Sequence, residues 1–196
     1  MDLGQLYYAS AVPVRHNAVC MSPRVSLAIR LPLLTFGIDD IGTIFKRSHR
    51  EAGPYLLIAR ACGLALDTAF GVELGNKPHL WPPHGLRHQL WYLRPSGVSG
   101  EVIIVSAVNG LVLDSTRNIT DDPHPVMWEQ HGEPWQRWRL TDVPDGGGYL
   151  LQSVYSTRFL TANERSERGW EPWFEDRHAY QSQQWVVALP HGKGLR

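Results

Sequence analysis

The sequence predicts an all-β fold built from three equal repeats, and three observations carry that prediction. Gln89-Leu90-Trp91, Gln136-Arg137-Trp138 and Gln183-Gln184-Trp185 recur at intervals of 47 residues with no insertion between copies. Other residues keep the same register: Leu66, Leu113 and Leu160; Pro78, Pro125 and Pro172; His84, His131 and His178. Within each copy, short apolar runs alternate with turn-rich stretches instead of following a helical period, which reads as about four short strands per unit and about twelve in all.

In the first unit the expected strands are Tyr55 to Ala61, Leu64 to Asp67, His79 to Trp81 and Leu90 to Arg94. The other units follow suit. Val102-Ile103-Ile104-Val105 and Tyr149-Leu150-Leu151-Gln152 superpose on Tyr55-Leu56-Leu57-Ile58, and Gly110-Leu111-Val112-Leu113-Asp114 on Gly63-Leu64-Ala65-Leu66-Asp67. Gly97, Gly100, Asp145 and the Gly146-Gly147-Gly148 run lie where one unit hands over to the next, as turn chemistry requires. The expected organisation is a poorly defined non-repeat extension over 1–53, a repeat domain over 54–190 with units near 55–101, 102–148 and 149–190, and a tail over 191–196. Three four-stranded units, each ending on a tryptophan, can close a barrel about a pseudo-threefold axis, and closure removes exposed sheet edges.

Composition narrows the function classes. A chain of 196 residues suits one domain with an appendage. Lys+Arg and Asp+Glu both number 19, so the formal net charge is +0, and no basic stripe points to nucleic acid. Cys20 and Cys62 read as two free thiols, too few for a disulfide framework. Ahead of the repeats, the longest apolar stretch, Leu31 to Ile38, contains Pro32 and falls far short of the ~20 residues a membrane span needs. From Met21, the Arg24 and Arg30 region faintly resembles a signal peptide, but Arg30 interrupts the apolar run and no small-x-small cleavage site follows. Missing disulfides and an incomplete signal favour a cytoplasmic protein slightly over a secreted one.

The glutamine-x-tryptophan motif itself reads as scaffold. Each tryptophan buries a large ring whose indole N–H needs a partner, and each glutamine amide can bond backbone that the sheet leaves unpaired. Sugar recognition calls for a carboxylate to accept hydrogen bonds from hydroxyls and an aromatic face against the apolar side of a ring. Asp67 with Trp81, and Asp114 with Trp128, supply that pair, each 14 residues apart. His79, His84 and His88 raise the question of a metal, but only His84 recurs in the other units. A loop-anchoring role, through a backbone hydrogen bond that fixes the turn after the third strand, is therefore expected instead of a metal site, and no cofactor is expected. Asn118-Ile119-Thr120 fits a glycosylation acceptor. With no nucleophile elbow, zinc-protease motif or phosphate loop, and with Asp121-Asp122 and Glu175-Asp176 in polar loops, the expected protein is not an enzyme.

Taken together, the triple motif and its register over about 54–190 resemble the ricin B-type lectins, β-trefoil domains marked by a threefold glutamine-x-tryptophan repeat. The resemblance implies a carbohydrate-binding module for glycans, galactose-type among them. In that family a carboxylate ends the second strand, an aromatic lies in the third, and an amide residue precedes the glutamine. Asp67 and Trp81 match the first two positions in unit one, as Asp114 and Trp128 do in unit two. The amide position holds His88, Trp135 and Ser182; His88 can still bond a hydroxyl, and Trp135 can donate through its indole or stack on a ring. Unit three departs further, with Thr161 and Glu175 at the carboxylate and aromatic positions and Trp173 and Phe174 out of register, which makes it a degenerate site. The family's intra-repeat disulfide is absent, because its positions in unit one hold Ala65 and Pro83. The resemblance thus implies sugar sites in units one and two, formed by Asp67, Trp81 and His88 and by Asp114, Trp128 and Trp135. The loss of the amides supports an alternative from another class, a trefoil protein-interaction or inhibitor module with a protein partner. A third reading makes the trefoil the targeting arm of a larger effector.

Overall fold

The computed structural model describes residues 50–69 and 72–190; the expectations for Cys20, for the Leu31 to Ile38 stretch and for the 191–196 tail lie outside these described residues. Unit one supplies β1 (Ala52–Ala59), β2 (Ala65–Asp67), β3 (His79–Trp81) and β4 (Trp91–Pro95). Unit two supplies β5 (Val102–Ser106), β6 (Val112–Asp114), β7 (Val126–Trp128) and β8 (Trp138–Asp142). Unit three supplies β9 (Tyr149–Ser153), β10 (Phe159–Thr161), β11 (Trp173–Glu175) and β12 (Gln184–Ala188). The only helical elements among the described residues are three single 3-10 turns, each covering the glutamine of a repeat motif.

Six strands close a barrel through antiparallel neighbours, in the cyclic order β1, β4, β5, β8, β9, β12 and back to β1. The remaining six form three hairpins, β2–β3, β6–β7 and β10–β11, each hung on the first strand of its own unit. The hairpins are stitched to one another in a cycle. Leu80 N–H donates to the Trp170 carbonyl at 2.7 Å, Met127 N–H to Asn76 at 2.8 Å and Phe174 N–H to Pro123 at 2.7 Å, so each unit borrows one acceptor from its neighbour. Lys77, His124 and Glu171 sit at equivalent positions beside this seam, and Glu171 lies 3.4 Å from Lys77 and 3.6 Å from His124. Barrel and cap together are a β-trefoil, the arrangement the resemblance implies.

The boundaries follow local chemistry. β1 starts at Ala52 and stops at Ala59, short of the expected Ala61, because Gly63 N–H turns back to the Ala59 carbonyl at 2.8 Å. That turn needs a left-handed residue, supplied by Gly63 (φ 73°) and by Gly110 (φ 76°) in unit two. Unit three uses Thr157 at φ 60°, a strained choice for a β-branched residue.

Equivalent residues fill the core. Leu66, Leu113 and Leu160 are fully buried, as are Trp91, Trp138 and Trp185. Each indole N–H finds the carbonyl of its own unit's leucine: Trp91 to Leu66 at 3.0 Å, Trp138 to Leu113 at 3.0 Å and Trp185 to Leu160 at 2.9 Å. Phe174, out of register as an aromatic site residue, stacks on Trp138 in the core with ring centres 5.8 Å apart.

The glutamines do what the sheet requires of them. In unit one, Gln89 Oε1 accepts the N–H groups of His84 and Gly85, and its Nε2 donates to the Pro82 carbonyl at 3.1 Å. Gln136 and Gln183 repeat that clamp on His131 and His178. The loop between the third and fourth strands is thereby fixed in each unit, and that loop builds one wall of each candidate site.

Candidate functional site

Each site begins at the end of the second strand. Asp67 and Asp114 are buried there, and one oxygen of each accepts the backbone N–H two residues on: Asp67 Oδ1 from Ala69 and Asp114 Oδ1 from Thr116, both at 2.7 Å. Ala69 (φ 61°) and Thr116 (φ 58°) are left-handed, so these bonds stabilise loop conformations that L-residues otherwise resist. One carboxylate oxygen is thus committed to the loop, and Oδ2 faces the loop histidine.

The histidine of the third-to-fourth-strand loop meets that oxygen. In every unit its Nδ1 accepts the N–H two residues later, from Leu86 at 3.2 Å, Glu133 at 3.2 Å and Tyr180 at 3.3 Å, which is the loop-anchoring role expected of His84, His131 and His178. Its Nε2 then points at a carboxylate: His84 lies 3.3 Å from Asp67 Oδ2 and His131 3.5 Å from Asp114 Oδ2. Unit three keeps the pair by moving the acid. Thr161 cannot serve, and Glu175, from the facing strand, approaches His178 Nε2 at 3.1 Å.

Unit two leaves a ligand-sized depression. Asp114, Thr116, Val126, Trp128, His131 and Trp135 line a shallow hollow of about 200 Å³. Asp114 Oδ2 also accepts from Gln136 Nε2 at 2.9 Å. Burial nevertheless dominates and pushes the Asp114 carboxyl above the usual carboxylate range, against the pull of Thr116 N–H, Gln136 and His131. Trp128 is 42% exposed, so a face of its ring can receive a ligand. The Trp135 indole N–H lies 3.2 Å from His131 Nε2, and the Arg117 guanidinium covers one face of the Trp135 ring at 4.1 Å. A neutral imidazole accepts at one nitrogen only, so Glu133 and Trp135 compete for His131, and the N–H that loses can serve a ligand hydroxyl.

Unit one uses the same positions differently. His79 reaches Asp67 Oδ1 at 3.8 Å, while His84 and His88 converge on Oδ2. His88 is 7% exposed and faces His84, their Nε2 atoms 3.2 Å apart, so it is turned inward and not toward solvent. Trp81 carries the Arg168 guanidinium of unit three over its ring at 4.8 Å. Arg117 and Arg168 lie off the repeat positions that mark a site, and Glu175, at the aromatic position, reads in sequence only as a departure until its contact with His178 is seen. Unit three holds a hollow of about 540 Å³, with Trp173, Glu175, His178 and Tyr180 among its walls.

Comparison with known proteins agrees with this fold. Residues 87–172 match the family model described as ricin-type beta-trefoil lectin domain-like. Residues 87–172 are thus similar to ricin B-type lectin domains, and the fold that holds them is a β-trefoil. Among solved structures, this trefoil resembles the designed threefold-symmetric protein ThreeFoil, at 26% identity and TM-score 0.63, over 70% of this chain and 99% of that one. It also resembles the ricin B-like lectin of Macrolepiota procera, solved with lactose, at 15% identity and TM-score 0.60, over 73% and 97% of the two chains. An exo-beta-1,3-galactanase from Clostridium thermocellum is 23% identical with TM-score 0.59, and there the trefoil matches 69% of this chain but only 30% of the enzyme. No match is found among curated proteins. Among the described residues no helix is long and apolar enough to cross a membrane.

Proposed function

We propose that the trefoil is a non-catalytic carbohydrate-binding module whose principal site is the unit two hollow. The observation that supports it is the meeting of Asp114 with Trp128 and Trp135 around one depression, a buried acceptor between two aromatic walls. Asp114 Oδ2 accepts hydrogen bonds from adjacent hydroxyls, Trp128 packs on the apolar face of the ring, and Trp135 closes the other side by stacking or through its indole. Unit one, with Asp67, Trp81 and His88, is a weaker second site, because a sugar there competes with His84 and His88 for the carboxylate and with Arg168 for the ring. Unit three, lacking the aspartate, is given no sugar in this reading.

The ligand class is galactose-type glycans. The lactose of the mushroom lectin and the galactan-cleaving neighbour support that choice. A shallow, open hollow gives weak single-site affinity and depends on multivalent display for tight binding. A glycan-array screen of the intact chain tests the reading. Retention on terminal-galactose glycans is expected; a folded protein that retains no glycan would overturn it and favour the protein-interaction alternative.

A further inference from the structure

Unit one brings three potential metal-ligand atoms together. Asp67 Oδ2, His84 Nε2 and His88 Nε2 form a triangle with edges of 3.3, 3.7 and 3.2 Å. Ligand atoms about 2.0–2.1 Å from a tetrahedral zinc ion lie about 3.3 Å from one another. The triangle therefore needs adjustments of a few tenths of an ångström to accept such an ion. We propose that unit one is a binding site for a divalent transition metal of the zinc class, held by Asp67, His84 and His88 with a fourth position open to water or a hydroxyl. The inference does not rest on the sugar-binding reading.

The electrostatics of the triangle favour a cation. Two imidazole nitrogens 3.2 Å apart need one proton between them, and both face a buried carboxylate. A metal ion takes the place of that proton, which shifts to His84 Nδ1. The surroundings hold the ligands in place. Asp67 Oδ1 is tied to Ala69 N–H at 2.7 Å and lies 3.8 Å from His79, which directs Oδ2 inward. The His88 backbone is pinned by Thr68, whose N–H donates to the His88 carbonyl at 2.9 Å. Outer partners of this kind fix ligand orientation. One local change is required. His84 bound through Nε2 carries its ring proton on Nδ1, so the Leu86 N–H, now 3.2 Å away, must turn off the ring. Leu86 is exposed and can give that bond to water.

The other two units show why the inference belongs to unit one. Where unit one has His88, unit two has Trp135 and unit three has Ser182, and neither completes a histidine pair. Among the described residues, Asp67, His84 and His88 are the grouping with three convergent ligand atoms.

The test is zinc titration of the chelator-stripped full chain by calorimetry, without any sugar, for wild type, His88→Ser, His84→Gln and Asp67→Asn. His88→Ser installs the residue that unit three carries at that position, so the scaffold accommodates it. The expected result is one zinc ion per chain, with each substitution weakening binding by about 100-fold or more, beyond the 10–100-fold that loss of an outer partner costs. Cobalt loading of the wild type gives a second readout that needs no variant, a tetrahedral nitrogen-oxygen absorption spectrum. Wild-type binding that is absent, or that survives all three substitutions in folded protein, overturns the proposal. So does a cobalt spectrum of octahedral, solvent-like type. Because no glycan is present, failure here leaves the array result untouched, and a negative array leaves this one untouched.

Discussion

Units one and two place an aspartate, a tryptophan and a loop histidine at the same three positions, yet the two sites differ in kind. In unit two the residue before the glutamine is Trp135, and it opens an aromatic-walled hollow beside Asp114. In unit one it is His88, which turns inward and joins His84 on the Asp67 carboxylate. The residue before the glutamine thus separates an aromatic-walled hollow from a histidine cluster. The scaffold tolerates either because the clamp made by Gln89 and Gln136 holds the loop by its backbone, whatever the neighbouring side chain.

The comparison can be broken most forcefully at the scaffold the two units share. Trp138→Ala removes a fully buried ring and its bond to Leu113, and should cost about 3–5 kcal/mol in urea unfolding. Trp128→Ala, at an exposed ring, should leave the unfolding midpoint unchanged while lowering glycan affinity about 10-fold, as the loss of one stacking contact predicts. A large stability loss for Trp128→Ala would mean that its ring is scaffold after all. Arg168→Ala should have a smaller effect. It uncovers Trp81 at a cost of about 0.5–1 kcal/mol, and should raise unit one's share of glycan binding in a Trp128→Ala background.

The smallest expected effect is a pH dependence. Burial raises the folded-state pKa of Asp114, so the folded protein holds this proton more firmly than the unfolded chain. Its contribution to stability is therefore fully present below the ordinary aspartate value of about 4 and is lost as pH rises through the higher folded value. Asp114→Asn removes that dependence. Urea midpoints of wild type and variant should diverge in the variant's favour as pH rises above the ordinary aspartate value of about 4, and parallel curves would show that burial does not control this carboxyl.

The repeat register makes the scaffold legible in the amino-acid sequence itself. Leu66, Trp91 and their equivalents recur because the barrel needs the same residue at the same depth three times, and periodicity records such a demand directly. The anchoring role of His84, His131 and His178 is legible for the same reason. What periodicity does not record comes from contacts between positions that do not repeat. Arg168 reaches Trp81 from another unit, Glu175 replaces an acid that belongs on the facing strand, and the inward turn of His88 depends on its rotamer. Phe174 reads in sequence as a displaced site aromatic, whereas its strand position points it into the core. A pattern one residue out of register reverses the face a strand side chain points to.

The most direct measurement is calorimetric titration of the best array glycan, in the presence of chelator, against wild type, Asp114→Ala and Asp67→Ala. Asp114→Ala should lose at least about 10-fold in affinity, from a charged hydrogen bond worth about 1.5–3 kcal/mol, and Asp67→Ala should change little. Equal losses, or a larger loss at Asp67, would contradict the division of labour between the two units.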